Sequence, residues 1–319
     1  MNYRYLRAWR DSGPVARAIT RLCPWSRPTC RVGGFWPGIY EPIPEGEAGG
    51  DLAALCRAEA AALWAKYDKL AVLWSGGVDS SLLACLLAES RPSNATLVLI
   101  AEAATLANDA YDLRDWLLAQ GCTTQILSSQ ALRDVTARGG MVVTGYHADT
   151  LLSGDIVRYN DLYESIWGMT EQELFERITG LPASVVMGLL ADLEPLLAMM
   201  PLPRTAANVA WWLDFNCAWA SDDMTLKYSF DLAPPGQGYV NFFGAPSLQL
   251  WSMQGADNKI GPDKASHKHL YLDLIAGIVG FAPSIPHSTE PGAFFGESMD
   301  MGRVLAIRED WSVVESPSE

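Results

Sequence analysis

The run Leu70-Ala71-Val72-Leu73-Trp74-Ser75-Gly76-Gly77-Val78-Asp79-Ser80-Ser81-Leu82-Leu83 constrains the rest of the chain. An apolar stretch stops at Ser-Gly-Gly and restarts as a helix pattern, which reads as buried strand, tight turn and helix. Two glycines let a backbone approach an anion with no Cβ in the way, and the helix start offers N–H groups at the positive end of its dipole. Ser75, Ser80 and Ser81 add hydroxyl donors at the same place. A carboxylate inside an anion site, here Asp79, makes chemical sense chiefly as a ligand for the magnesium that accompanies a nucleotide triphosphate. Neither the Gly-Lys-Ser/Thr ending of a P-loop nor a Gly-x-Gly-x-x-Gly fingerprint is present at this turn.

Around this turn the pattern alternates. Strands are predicted near Leu70–Trp74, Thr96–Ile100, Thr124–Leu127 and Met141–Thr144, with helices at Ser80–Glu89, Asn108–Gln120 and Gln130–Arg138 between them. That order implies an α/β fold with a doubly wound parallel sheet and helical additions, binding its ligand at the carboxyl ends of strands. An alanine-rich helix spans roughly 51–68. Beyond Ser153 the strand signal fades and helices are predicted at Glu171–Thr179, Ala183–Leu190, Ala206–Ala220, Ser247–Met253 and Lys268–Val279. The expected organisation is an irregular arm (1–50), a nucleotide-binding α/β core (51–150), a mainly helical substrate region (151–282) and a Pro/Gly-rich closing segment with an acidic tail (283–319).

A second motif ends another apolar strand, Val142-Val143-Thr144-Gly145-Tyr146-His147-Ala148-Asp149-Thr150-Leu151-Leu152-Ser153-Gly154-Asp155. Two strand ends, each with a glycine and an aspartate, are suited to holding a magnesium-bound pyrophosphate jointly. The first motif resembles the pyrophosphate loop (PP-loop) of the N-type ATP pyrophosphatases, which split ATP between its α and β phosphates. The second resembles the corresponding motif of the synthetase domain of asparagine synthetases, in which a carboxylate is adenylated and then attacked by an amine. Tyr146 follows Thr-Gly, as in β-lactam and carbapenam synthetases, where asparagine synthetases have Glu. The segment Lys264-Ala265-Ser266-His267-Lys268-His269-Leu270 resembles the family's Lys-x-x-Leu-Arg segment, with Lys268 the better match and Lys264 a rival.

The resemblance implies an ATP-dependent, AMP- and pyrophosphate-forming amide ligase of the asparagine synthetase/β-lactam synthetase group. It implies ATP contacts at Leu73, Ser75, Gly76, Gly77, Asp79, Ser80, Ser81 and Gly145, and Mg2+ on Asp79 and Asp149. Lys268 would stabilise the transition state, and Tyr146 would help deprotonate the amine. The carboxyl partner of Tyr146 stays open among Glu171, Glu173, Glu176, Asp214, Asp222 and Asp223. His147, where the family usually has Gly, either brings an imidazole beside the phosphates or fills a turn. The family's glutaminase nucleophile has no counterpart at Asn2, so the amine is expected from outside the chain. Nor does Pro283–Glu290 carry the basic residues that the family tends to have there. The alternatives are a PP-loop enzyme that adenylates a nucleobase or tRNA for amination or thiolation, and a non-catalytic nucleotide-binding protein of the same fold.

Composition narrows the partners. A formal charge of −14 with only 23 basic residues disfavours a nucleic-acid groove and favours small carboxylate and amine substrates. Six scattered cysteines without a Cys-x-x-Cys pair fit reduced thiols, and with no apolar leader in the first residues the chain is expected to be cytoplasmic. The apolar stretch 181–203 is broken by Asp192, Glu194 and prolines, so a buried helix is expected rather than a membrane span. His267 and His269 are read as local structure, and Trp211, Trp212 and Trp219 as helix core.

Overall fold

The computed structural model describes residues 44–108, 111–152, 157, 162–180, 182–217, 238–254, 259 and 268–285, with short strands at 305–307 and 313–315. The arm up to residue 43, Ser153–Asp155, Trp219, Asp222, Asp223, Lys264, His267 and Pro286–Glu290 lie outside the described residues.

Helix α1 (Leu52–Lys66) begins at Asp51, whose side chain accepts from the Ala54 N–H at 2.7 Å and caps the first turn. There follow β1 (Lys69–Leu73), α2 (Val78–Glu89), β2 (Thr96–Ala101), α3 (Ala103–Asn108), α4 (Tyr111–Ala119), β3 (Thr123–Ile126), α5 (Ser129–Ala137), β4 (Met141–Thr144) and the four-residue α6 (Ala148–Leu151). The chain continues through α7 (Glu171–Thr179), α8 (Ala183–Leu197), α9 (Ala206–Cys217), β5 (Tyr239–Asn241), α10 (Pro246–Gln254) and α11 (His269–Val279). Near the end, β6 (Leu305–Ile307) and β7 (Val313–Glu315) pair antiparallel.

The main sheet has the order β3-β2-β1-β4-β5, and every pairing in it is parallel. This is the α/β fold expected from the alternation. Its fifth strand, Tyr239–Asn241, lies within the stretch expected to be mainly helical and pairs with Val142–Thr144. Three residues are too few to show a period, and the partner lies almost a hundred positions away. The helix predicted from Asn108 is preceded by the separate helix α3, and Ala183 begins a helix that runs on to Leu197.

The side chains of the strands alternate between two cores. Leu70, Val72, Trp74, Leu97, Leu99 and Val143 face a large cluster with α1, α2, α4 and the later helices. Ala71, Leu73, Val98, Ile100, Val142 and Tyr239 face a smaller one with Ala131, Leu132 and Val135 of α5. Helices cover both faces, so α2 is buried throughout except at Asp79 and Glu89. On α9, Trp211 and Trp212 pack with Phe215 at centroid distances of 5.0 and 5.7 Å, as expected of core. Among the described residues no single helix is long and apolar enough to cross a membrane.

The strand order reverses between β1 and β4, which makes the gap beyond their carboxyl ends the topological switch point, the usual ligand crevice of an open α/β sheet. Leu73 and Thr144 are register partners, so the two glycine motifs leave the sheet side by side. They touch directly. A Cβ on Gly145 would sit 2.9 Å from the Ser80 amide nitrogen and 3.1 Å from the Asp79 carbonyl carbon, closer than backbone can tolerate. We expect Gly145→Ala to cost roughly 1–3 kcal/mol in urea unfolding, the usual range for overpacking. Gly188→Ala, in open space on α8, should stabilise the protein by about 0.5–1 kcal/mol. A silent Gly145→Ala would refute the close contact.

Candidate functional site

The turn after β1 is held by its own hydroxyls. Ser80 Oγ accepts from the Ser75 N–H at 3.1 Å and lies 2.9 Å from Ser75 Oγ, which accepts from the Gly77 N–H at 3.3 Å. Gly76 has φ 76°, the left-handed region that glycine enters without penalty. Ser81 Oγ accepts from Trp74 Nε1 at 3.1 Å, pinning helix to strand. Ser75 and Ser80 therefore shape the loop, and Ser81 fixes its base. Leu73 is a core residue of the strand, and Gly145 is the close-packing point described above.

Helix α2 carries Asp79 in its first turn, where a carboxylate is favoured by the helix dipole. Asp149 takes the same place in α6. Both carboxylates meet the ammonium of Lys268, the residue that caps α11. Lys268 Nζ donates to Asp79 Oδ2 and lies 2.8 Å from Asp149 Oδ1. Burial alone would push this ammonium down. The charges of Asp149 and Asp79, with hydrogen bonds to both, outweigh that effect and hold its pKa above the ordinary lysine value. The lysine side chain is 9% exposed and the carboxylates 22% and 25%. Two carboxylates directed at one cation are also a donor set that suits magnesium, which takes one or two carboxylates and completes its shell with phosphate oxygens and water.

Three later elements grip α6 and thereby aim Asp149. Tyr271 on α11 donates its hydroxyl to the Ala148 carbonyl at 2.9 Å. Ser252 on α10 donates to the Leu151 carbonyl at 2.6 Å and accepts from the buried Lys259 at 3.3 Å. Asn241, at the end of β5, lies 2.9 Å from His147 Nε2 through Nδ2, while its Oδ1 accepts from Thr144 Oγ1 at 2.5 Å. These contacts tie the His147 turn to the ends of β4 and β5. His147 thus fills and anchors a turn, the second of the two readings open for it.

His147 (φ 71°) and Lys268 (φ 63°) are the only non-glycine residues with positive φ among the described ones. Each caps a helix of the site. Left-handed backbone costs a side-chain-bearing residue roughly 1–2 kcal/mol, and such strain collects where a structure must over-determine a geometry.

Tyr146 is half-buried and packs against the smaller core beside Leu127. Its candidate carboxyl partners on α7 are engaged elsewhere: Glu171 pairs with Arg204, Glu173 completes the capping box with Thr170, and Glu176 accepts from Gln172 at 2.7 Å. Asp214 is buried on α9. Sequence reasoning missed Asn241, Tyr271, Ser252 and Lys259. Tyr271, three residues into the helix that Lys268 opens, was the one with a local signal.

No family model and no curated protein matches the chain. Among solved structures it is similar to the U34-tRNA thiolase NcsA from Methanococcus maripaludis with its 4Fe-4S cluster, at 14% identity over 75% of this chain and 93% of that one, with a TM-score of 0.24. A superposition that loose carries no structural argument, and the fold assignment rests on the strand order.

The trio bears two negative charges against one positive. Asp79→Asn or Asp149→Asn leaves a balanced pair and should cost about 1–2 kcal/mol, whereas Lys268→Met leaves two carboxylates facing each other and should cost roughly 3–5 kcal/mol, as for any broken buried pair. Urea unfolding at neutral pH measures both, and a lysine variant no weaker than the aspartate variants would contradict the charge balance.

Proposed function

We propose that this protein is an ATP-using enzyme of the PP-loop type that splits ATP between its α and β phosphates to adenylate a carboxylate, then passes the acyl group to an amine. The observation that supports this reading best is the meeting of Asp79 and Asp149, from adjacent strand ends at the switch point, on the buried Lys268. The three charges sit at the first turn of α2, where a helix N-terminus favours an anion.

In this reading a substrate carboxylate oxygen attacks the α-phosphorus, the α–β bridging oxygen leaves with pyrophosphate, and the amine then displaces AMP from the acyl-adenylate. Lys268 carries a fixed positive charge to the oxygen on which charge builds as pyrophosphate leaves. Asp79 and Asp149 would hold Mg2+, which when bound supplies Lewis-acid neutralisation of phosphate oxygens. The residues gripping α6 keep Asp149 in place without reaching substrate. For Tyr146 the role in amine deprotonation rests on the resemblance of the second motif alone, since its ring packs against the smaller core.

The same first step serves the alternative enzyme that adenylates a nucleobase or tRNA for amination or thiolation. Against thiolation stand the described thiols: Cys56, Cys85 and Cys122 are buried, and burial pushes Cys56 up to about 12 and Cys122 up to about 11, so none of the three is a nucleophile. Against a tRNA stands the net charge of −14.

Pyrophosphate exchange into ATP, with a pool of carboxylates and separately with tRNA, tests the reading. Exchange that depends on a carboxylate is expected, and release of ADP and phosphate instead would overturn it. Lys268→Ala should lose exchange about a hundredfold or more, the scale of losing one charge at a developing oxyanion, and lose far less in ATP affinity by calorimetry. Equal losses in binding and exchange would refute a transition-state role.

A further inference from the structure

A divalent ion that took both Asp79 and Asp149 would find the protein's own cation between them. Lys268 Nζ uses one oxygen of each carboxylate, so metal and ammonium compete for the same ligands. The ammonium is largely enclosed in this arrangement, because Lys268 is buried and its backbone caps a helix packed against α2, while the two carboxylates keep partial exposure. Free magnesium would have to expel a buried cation and leave it without an anion, which is strongly unfavourable. Magnesium that arrives with a polyphosphate brings the displaced ammonium a new set of anionic oxygens in the same step.

We propose that Lys268 is a displaceable internal counter-ion that makes metal binding conditional on a polyphosphate ligand. With the polyphosphate absent it holds Asp79 and Asp149 together and closes the metal position. With a nucleotide triphosphate bound it yields the carboxylates to the metal and turns to the phosphates. The polyphosphate half of this proposal rests on the site being the nucleotide site of the preceding subsection. The competition between ammonium and metal does not. By linkage, metal and nucleotide must then raise each other's affinity by the same factor. The left-handed backbone of Lys268 fits such a role, since a capping residue outside the regular helix can swing its side chain without unwinding α11.

The test is a Mn2+ titration of the full chain, followed by electron paramagnetic resonance of the free ion, with and without α,β-methylene-ATP. Wild type without nucleotide should bind Mn2+ at least about tenfold more weakly than Lys268→Met, and the analogue should raise the wild-type affinity by a similar factor while changing the variant far less. If Lys268→Met does not fold, Lys268→Gln takes its place, since its amide can still donate to a carboxylate but carries no charge. Equal Mn2+ affinity in wild type and the folded variant without nucleotide, including binding by neither, overturns the counter-ion whatever the nucleotide does. A variant that binds Mn2+ more tightly while the analogue binds to neither protein keeps the competition and rejects the nucleotide reading.

Discussion

Asp79 and Asp149 meet at adjacent strand ends with a cation between them, and that cation, Lys268, lies 189 residues beyond Asp79 in the chain. That ion trio ties the first turn of α2, the short helix α6 and the start of α11 to one point. It therefore joins the sheet to the helices that follow it, and the charge balance of the site is also part of the tertiary structure. A site built in this way is expensive to alter at the central cation, because removing it leaves two carboxylates facing each other.

The backbone around the trio is made to order. Gly145 lets the chain leaving β4 press against the Asp79–Ser80 backbone, which brings the two motifs closer than any larger residue would allow. His147 and Lys268 accept left-handed backbone at the caps that aim Asp149 and the ammonium. Each strained cap carries a polar contact, the one with Asn241 for His147 and those with the two carboxylates for Lys268. Such preorganisation is what a phosphoryl-transfer site requires, because most of its catalysis comes from placing charge before the reaction begins.

Much of the fold was legible because long apolar strands and glycine turns act locally. β1, β2, β4 and α7 lie within a residue or two of where periodicity and turn chemistry put them, and the helix expected from Ser80 starts two residues earlier, at Val78. Asp79, Asp149 and Lys268 were each visible as a residue type in a motif, and the structure brings the three together. What stayed hidden depends on distant partners. Asn241 is one polar residue at the end of a three-residue strand, and only pairing with β4 gives it Thr144 and His147 as neighbours. Ser252 and Lys259 matter only because α10 passes the end of α6. Gly145 shows the converse: the motif marked it for phosphate approach, while its visible duty is contact between two backbones. Tyr146 lies against the smaller core, and the glutamates on α7 open to it as partners are held by Arg204, Thr170 and Gln172.

Both readings of the site, an adenylating centre and a cation-guarded one, come down to where the ammonium and the metal sit once a nucleotide is bound. The most direct measurement is a crystal structure of the full chain with Mg2+ and α,β-methylene-ATP. The account predicts the triphosphate in the crevice beyond β1 and β4, the metal on Asp79 and Asp149, and Lys268 Nζ moved from the carboxylates to the phosphates. A nucleotide bound elsewhere, or one in the crevice with Lys268 still joined to both aspartates and no metal on them, would contradict it.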